Sequence, residues 1–225
     1  GFSNYNIDLM YGLPKQTVDD ALFDLQEAIS FSPPHLSWYH LTLEPNTVFY
    51  TKPPKNLPSD KCLIDIEKTG REFLADKNYQ RYEISAYAKS NRYSRHNYNY
   101  WEFGDYLGIG AGAHGKITDL TSGTVKRLWK LRTPKTYLNN EQQYIGGQKT
   151  LTSEDLKLEF LMNGLRLIKG IEIKLFTERT GLDFTAIETQ IRALKNENLL
   201  YNNNESLQLT EQGLLFLDEI LARFV

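Results

Sequence analysis

At 225 residues and 40% hydrophobic content, the chain is long enough to bury one large core or two small ones, which excludes a disordered segment. A formal net charge of −2 gives no basic field for nucleic acid or an anionic membrane. No apolar run approaches the roughly 20 residues that a bilayer-spanning helix needs, and the single cysteine, Cys62, excludes an intrachain disulfide and fits a reducing cytoplasm. No secretory signal is expected ahead of the fold.

Residues 5–10 form a short apolar run closed by Gly12 and Pro14, the pattern of a buried strand ending in a turn. Val18, Ala21, Leu22, Leu25, Ala28 and Ile29 then fall on one helical face, with Thr17 as N-cap and Pro33-Pro34 as the stop. Residues 36–43 read as a second strand, so strand, helix and strand predict a βαβ unit with a parallel sheet. A proline-rich loop over 44–58 leads to a helix over 59–77, with Leu63, Ile66, Phe73 and Leu74 near one face and Cys62 as a buried, inert thiol. Residues 82–86 read as another strand, and the tyrosines between 79 and 106 form either a ligand surface or strands against a core.

Residues 115–132 suggest a hairpin about Thr121-Ser122-Gly123, followed by a short helix over 136–143 and a linker from Gly146-Gly147 to Ser153. Beyond it, helices over 153–168, 173–180 and 184–196, strand-like pieces at 199–201 and 207–209, and a last helix from Thr210 follow the winged-helix order. The stretch over 184–196, with Glu197 just beyond it, balances Glu188 and Glu197 with Arg192 and Lys195, which favours a docking or lid module over a reader of DNA.

The run His96-Asn97-Tyr98-Asn99-Tyr100-Trp101 sets one imidazole beside two tyrosines and an indole. A haem iron takes an imidazole as axial ligand and the macrocycle is held by aromatic contact, so the run reads as a haem or porphyrin site; the alternative is a surface histidine beside ordinary core aromatics. Asp8, near the end of the first strand, could accept hydrogen bonds from ribose hydroxyls or an amino group, or serve as a cap or salt-bridge partner. Gly108, Gly110, Gly112 and Gly115 permit a tight bend but lack the setting of a dinucleotide fingerprint. No histidine pair has helical i, i+4 spacing, and His35 and His40 face opposite ways along a strand, so no metal site is expected from this chain alone.

Three segments, 6–14, 36–45 and 105–115, together resemble the radical S-adenosylmethionine enzymes related to oxygen-independent coproporphyrinogen III oxidase. The hexapeptide from His96 to Trp101 is similar to the H-N-x-x-Y-W pattern of the HemW-type haem chaperones within that family. The resemblance implies an α/β fold: the C-terminal part of a (β/α) barrel over 1–116, a hairpin and linker over 117–149, and a small, mainly helical, winged-helix-like domain over 150–225. It implies S-adenosylmethionine contacts at Asp8, Thr42 and His114, and haem contacts at His96 as iron ligand, Asn97, Tyr100 and Trp101. The family's [4Fe–4S] cluster is held by C-x-x-x-C-x-x-C, which one cysteine cannot supply. The chain is therefore expected to be the C-terminal portion of a longer protein, beginning midway through the barrel, inactive by itself in radical chemistry and prone to self-association at exposed barrel edges. The implied function is binding haem and delivering it to acceptor proteins; the alternatives are oxidative decarboxylation of porphyrinogen propionates and a winged-helix interaction module.

Overall fold

The structure, a computed structural model, describes residues 1–140 and 143–225. These gather into two compact units, Gly1–Ser94 and Arg95–Val225.

In the first unit, β1 (Asn6–Tyr11), α1 (Val18–Ser30) and β2 (His35–His40) form the expected βαβ unit, with β1 and β2 parallel and Asp8 opposite Ser37. Thr17 caps α1 as half of a capping box with Asp20. A one-turn helix, α2 (Val48–Thr51), and the long α3 (Asp60–Asp76) follow, the latter capped by Ser59. The expected strand over 82–86 is instead a hairpin of β3 (Gln80–Glu83) and β4 (Ala86–Ala88), closed where Arg81 donates to Ile84 O and Ser85 Oγ to Glu83. Since β4 runs antiparallel to β2, the sheet order is β1-β2-β4-β3 and the sheet is mixed rather than parallel.

Residues alternate along β1 between the two faces of the sheet. Ile7, Leu9 and Tyr11 pack with Leu25, Trp38, Ile66 and Leu74 in the core, which α1 and α3 complete, while Asn6, Asp8 and Met10 stay exposed on the opposite face.

The second unit opens with α4 (Arg95–Trp101) and continues through β5 (His114–Asp119), β6 (Thr124–Lys130), α5 (Pro134–Leu138) and β7 (Ile145–Thr150). The predicted hairpin is β5–β6, and β7 adds a third antiparallel strand where a linker was expected. The reason is packing: the Trp129 indole lies over Gly147, where any Cβ would come within 2.3 Å of the ring. The predicted helix over 136–143 is realised as α5, and its residues 141–142 lie outside those described.

Helices α6 (Ser153–Gly164), α7 (Ile173–Thr180) and α8 (Thr185–Asn196) follow, with β8 (Ile171–Glu172) before α7 pairing with β9 (Ser206–Leu207) as a small wing. Then come α9 (Glu211–Leu215), α10 (Leu217–Leu221) and a terminal 3-10 turn. Phe103 and Val125 belong to the same core as Phe160, Phe176, Ile187 and Leu207. That shared core explains why the boundary falls after Ser94, rather than at 116 and 149, and why the hairpin and the winged-helix-like part form one body.

Candidate functional site

Two sets of site residues lie in the two separate units. In the first unit Asp8 sits third in the six-residue β1, mid-strand rather than near its end, with its carboxylate on the face opposite the helices. That face is a hydrogen-bonded polar surface. Asn6 Nδ2 donates to Asp8 Oδ1 at 2.7 Å, Asn6 Oδ1 accepts from His35 Nδ1 at 2.7 Å and Ser37 Oγ at 3.1 Å, and His35 Nε2 lies 2.8 Å from the Tyr82 hydroxyl. Burial lowers the His35 pKa below its ordinary value, opposed by the nearby Asp8 carboxylate. Burial likewise pushes the Tyr82 hydroxyl up to about 12. Thr42 lies beyond the end of β2, exposed, its Oγ1 within 3.4 Å of His40 O. Among the described residues no hydrogen bond joins Thr42 to Asp8.

In the second unit the hexapeptide is helical, which separates its side chains by i, i+4 spacing into two sets. His96 is exposed and meets Tyr100 edge-on at 4.6 Å, and Tyr100 meets Tyr106 edge-on at 4.4 Å. The Tyr106 hydroxyl accepts from Arg127 Nη1 at 2.8 Å, and Arg127 is paired with Glu159 of α6. Tyr98 and Trp101 turn the other way and pack against the core; Arg166 lies 4.5 Å over the Trp101 ring. Trp101 Nε1 is buried with no hydrogen-bond partner among the described residues. Asn97 is half-buried. Thus His96 and Tyr100 share the outward side, whereas Trp101 does not join them there.

His114 stands exposed at the start of β5, its ring 6.5 Å from that of Trp129. The glycine segment before it is a tight bend, as expected: a Cβ at Gly108 would come within 2.2 Å of His114 O.

Sequence reasoning missed Lys116. Its side chain is 1% exposed, and Nζ donates to Asp105 Oδ1 at 2.7 Å and Phe103 O at 3.0 Å while lying 4.2 Å over the Phe103 ring. It ties the end of the segment after α4 to β5. Burial lowers the Lys116 pKa, against the pull of Asp105. At Asp105 burial acts upward, but hydrogen bonds from Lys116 and Thr118 outweigh it and hold the carboxyl below its usual range. A lysine inside a strand as polar as His114–Asp119 left no signal in the sequence.

Among the described residues no group of three or more histidine, cysteine or acidic side chains is placed to hold a metal ion, and no helix is long and apolar enough to cross a membrane. Cys62 is half-buried on α3, its Sγ 3.9 Å from Gln16 O.

Comparison with known proteins first gives a class. The HemN C-terminal domain family matches residues 151–216. The solved structure of coproporphyrinogen III oxidase (HemN) from Escherichia coli, described as a radical SAM enzyme, covers 100% of this chain and 55% of its own, with a TM-score of 0.74 at 22% identity. The fold is therefore that of the C-terminal part of a radical SAM protein of this kind. Over 225 residues the chain is 47% identical to the heme chaperone HemW of Haemophilus influenzae and 43% identical to that of Escherichia coli K12, covering 100% of this chain and 58% of each relative. The chain is thus similar along its whole length to the curated heme chaperones HemW and spans 58% of their own length.

Proposed function

We propose that this chain is the haem-binding, C-terminal portion of a radical S-adenosylmethionine haem chaperone, with His96 as axial ligand to the haem iron. The observation that carries this reading is the exposed His96 imidazole, held edge-on by Tyr100 at the surface of α4. One axial imidazole and an adjacent ring meet the chemical needs of a haem: a neutral nitrogen for iron and an aromatic flank for the macrocycle. Asn97 and Trp101 serve the same site from behind, Trp101 by fixing the helix on the core. Haem bound here is cargo, passed on to acceptor proteins in the reducing cytoplasm.

In the first unit, the exposed Asp8 carboxylate on a polar sheet face fits the acceptor that the ribose hydroxyls or amino group of S-adenosylmethionine require, with Thr42 of the same unit as a further contact. When bound, S-adenosylmethionine in this family supplies radical chemistry. The [4Fe–4S] cluster that drives it does not fit this chain, which offers only Cys62. The winged-helix-like part is proposed as a docking or lid module: on α8, Arg192 is paired with Glu188 and Lys195 donates to Asn203 O, so the helix that would read DNA offers no unopposed basic face.

The test is an anaerobic haem titration, followed by absorption spectroscopy, of the full-length, cluster-reconstituted protein with His96→Ala alongside. The expected result is a Soret shift that saturates in the wild type and is at least about tenfold weaker in the variant. Equal binding in both removes His96 as ligand. No binding in either, with decarboxylation of coproporphyrinogen, replaces the chaperone reading by the oxidase one.

A further inference from the structure

The polar face of the first sheet carries a hydrogen-bond chain whose donors and acceptors have one consistent assignment. Asn6 presents its amide between His35 Nδ1 and Asp8 Oδ1, 2.7 Å from each. A carboxylate accepts and cannot donate, so Asn6 Nδ2 faces Asp8 and Oδ1 faces His35 and Ser37. His35 Nδ1 therefore carries the ring proton, Nε2 is an acceptor, and the Tyr82 hydroxyl donates to it at 2.8 Å. The Tyr82 oxygen in turn accepts the Ser94 backbone N–H at 3.2 Å. Donation runs one way, from Ser94 through Tyr82, His35 and Asn6 to Asp8, crossing β3, β2 and β1. Hydrogen bonds aligned head to tail polarise one another, which strengthens the last link.

The interior of the chain is buried, with Tyr82 3% and His35 5% exposed, yet it ends at an exposed carboxylate. Among the described residues Asp8 Oδ2 makes no hydrogen bond. Holding the fold together does not require a buried relay to terminate on a solvent-facing acid. Aiming that acid does.

We propose that Asn6 and His35 are positioning residues that fix the direction of the Asp8 carboxylate, engaging Oδ1 and presenting Oδ2 to the hydroxyl or amino donors of a bound ligand. This rests on the reading of Asp8 as an S-adenosylmethionine contact. Ser37, sharing Asn6 Oδ1, keeps the amide from flipping when His35 moves.

The experiment measures S-adenosylmethionine binding by equilibrium dialysis on the full-length, cluster-reconstituted protein, in wild type, Asp8→Ala, Asn6→Ala and Asn6→Asp, with a thermal midpoint for each. Asn6→Asp preserves shape and the acceptor toward His35, but replaces the donor facing Asp8 with a second carboxylate. Positioning predicts that Asn6→Asp weakens binding at least about tenfold, and more than Asn6→Ala. A packing role alone predicts the reverse order. Loss of binding in Asp8→Ala with both Asn6 variants unaffected overturns the positioning role and leaves the ligand reading intact; unchanged binding in Asp8→Ala overturns the ligand reading and the proposal with it. Because Asn6 is exposed, both of its variants are expected to fold. Nitrogen-15 NMR of wild-type His35 adds a ligand-free check: the Nδ1–H tautomer is expected, and the Nε2–H tautomer reverses the chain and overturns the proposal.

Discussion

His35 is where single-residue chemistry has a consequence for stability. Its ordinary pKa is 6.5, and burial lowers it in the folded protein. The folded state therefore binds a proton less readily than the unfolded chain, so the histidine's contribution is fully present above the ordinary value and is lost as pH falls from there through the lower folded value. Urea midpoints of the wild type are expected to drop over that interval, while His35→Gln, which keeps a donor and an acceptor but does not titrate, stays level. Parallel curves for the two proteins assign the loss to other groups. Parity along the sequence placed His35 and His40 on opposite faces of a strand, and the structure agrees. What parity left unread was that His35 joins Asn6 and Tyr82, because those partners are 29 and 47 residues away.

At the scale of elements, local chemistry was legible and tertiary choice was not. Thr17 announces α1 because a cap acts on backbone groups within one turn, and the same device starts α6, where Thr152 Oγ1 accepts from Asp155 N and Asp155 answers to Thr152 N. Thr152→Ala is expected to cost about 1 kcal/mol by chemical denaturation. A hydrogen bond from Lys149, then one from the Thr152 backbone, bring the Asp155 pKa to about 2. By contrast, α4 has seven residues, too few to be helical on propensity alone. It is helical because Tyr98 and Trp101 pack onto a core drawn from residues far along the chain, and the sequence offered strand or ligand surface with equal reason. The same holds for β7, whose glycines resemble a linker until the Trp129 indole is placed over one of them.

For the whole molecule, the three matched segments and the hexapeptide were enough to indicate the HemN and HemW relatives, while the division into units was not. Motifs are contiguous, whereas the core joining Val125 to Phe160 and Ile187 is assembled across the chain. Within its own sheet β1 is an edge, six residues long and paired, among the described residues, only with β2. An unprotected edge of that length invites strand addition, so this chain is expected to show mass above a monomer by light scattering as concentration rises, and Met10→Lys to reduce it. A monomer at every concentration argues against edge pairing.

The division of the hexapeptide between an outward and an inward side bears on genetics. A screen that scores substitutions at His96 and Trp101 only by the loss of haem-dependent growth will return the same phenotype for both. At His96 the defect would lie in holding cargo; at Trp101 it would lie in the seating of a helix beneath Arg166, with every iron ligand still present in the gene. On the proposed reading of His96 as haem ligand, selection on this motif would act on two properties at once, and a catalogue of intolerant positions would overstate how many of them touch haem.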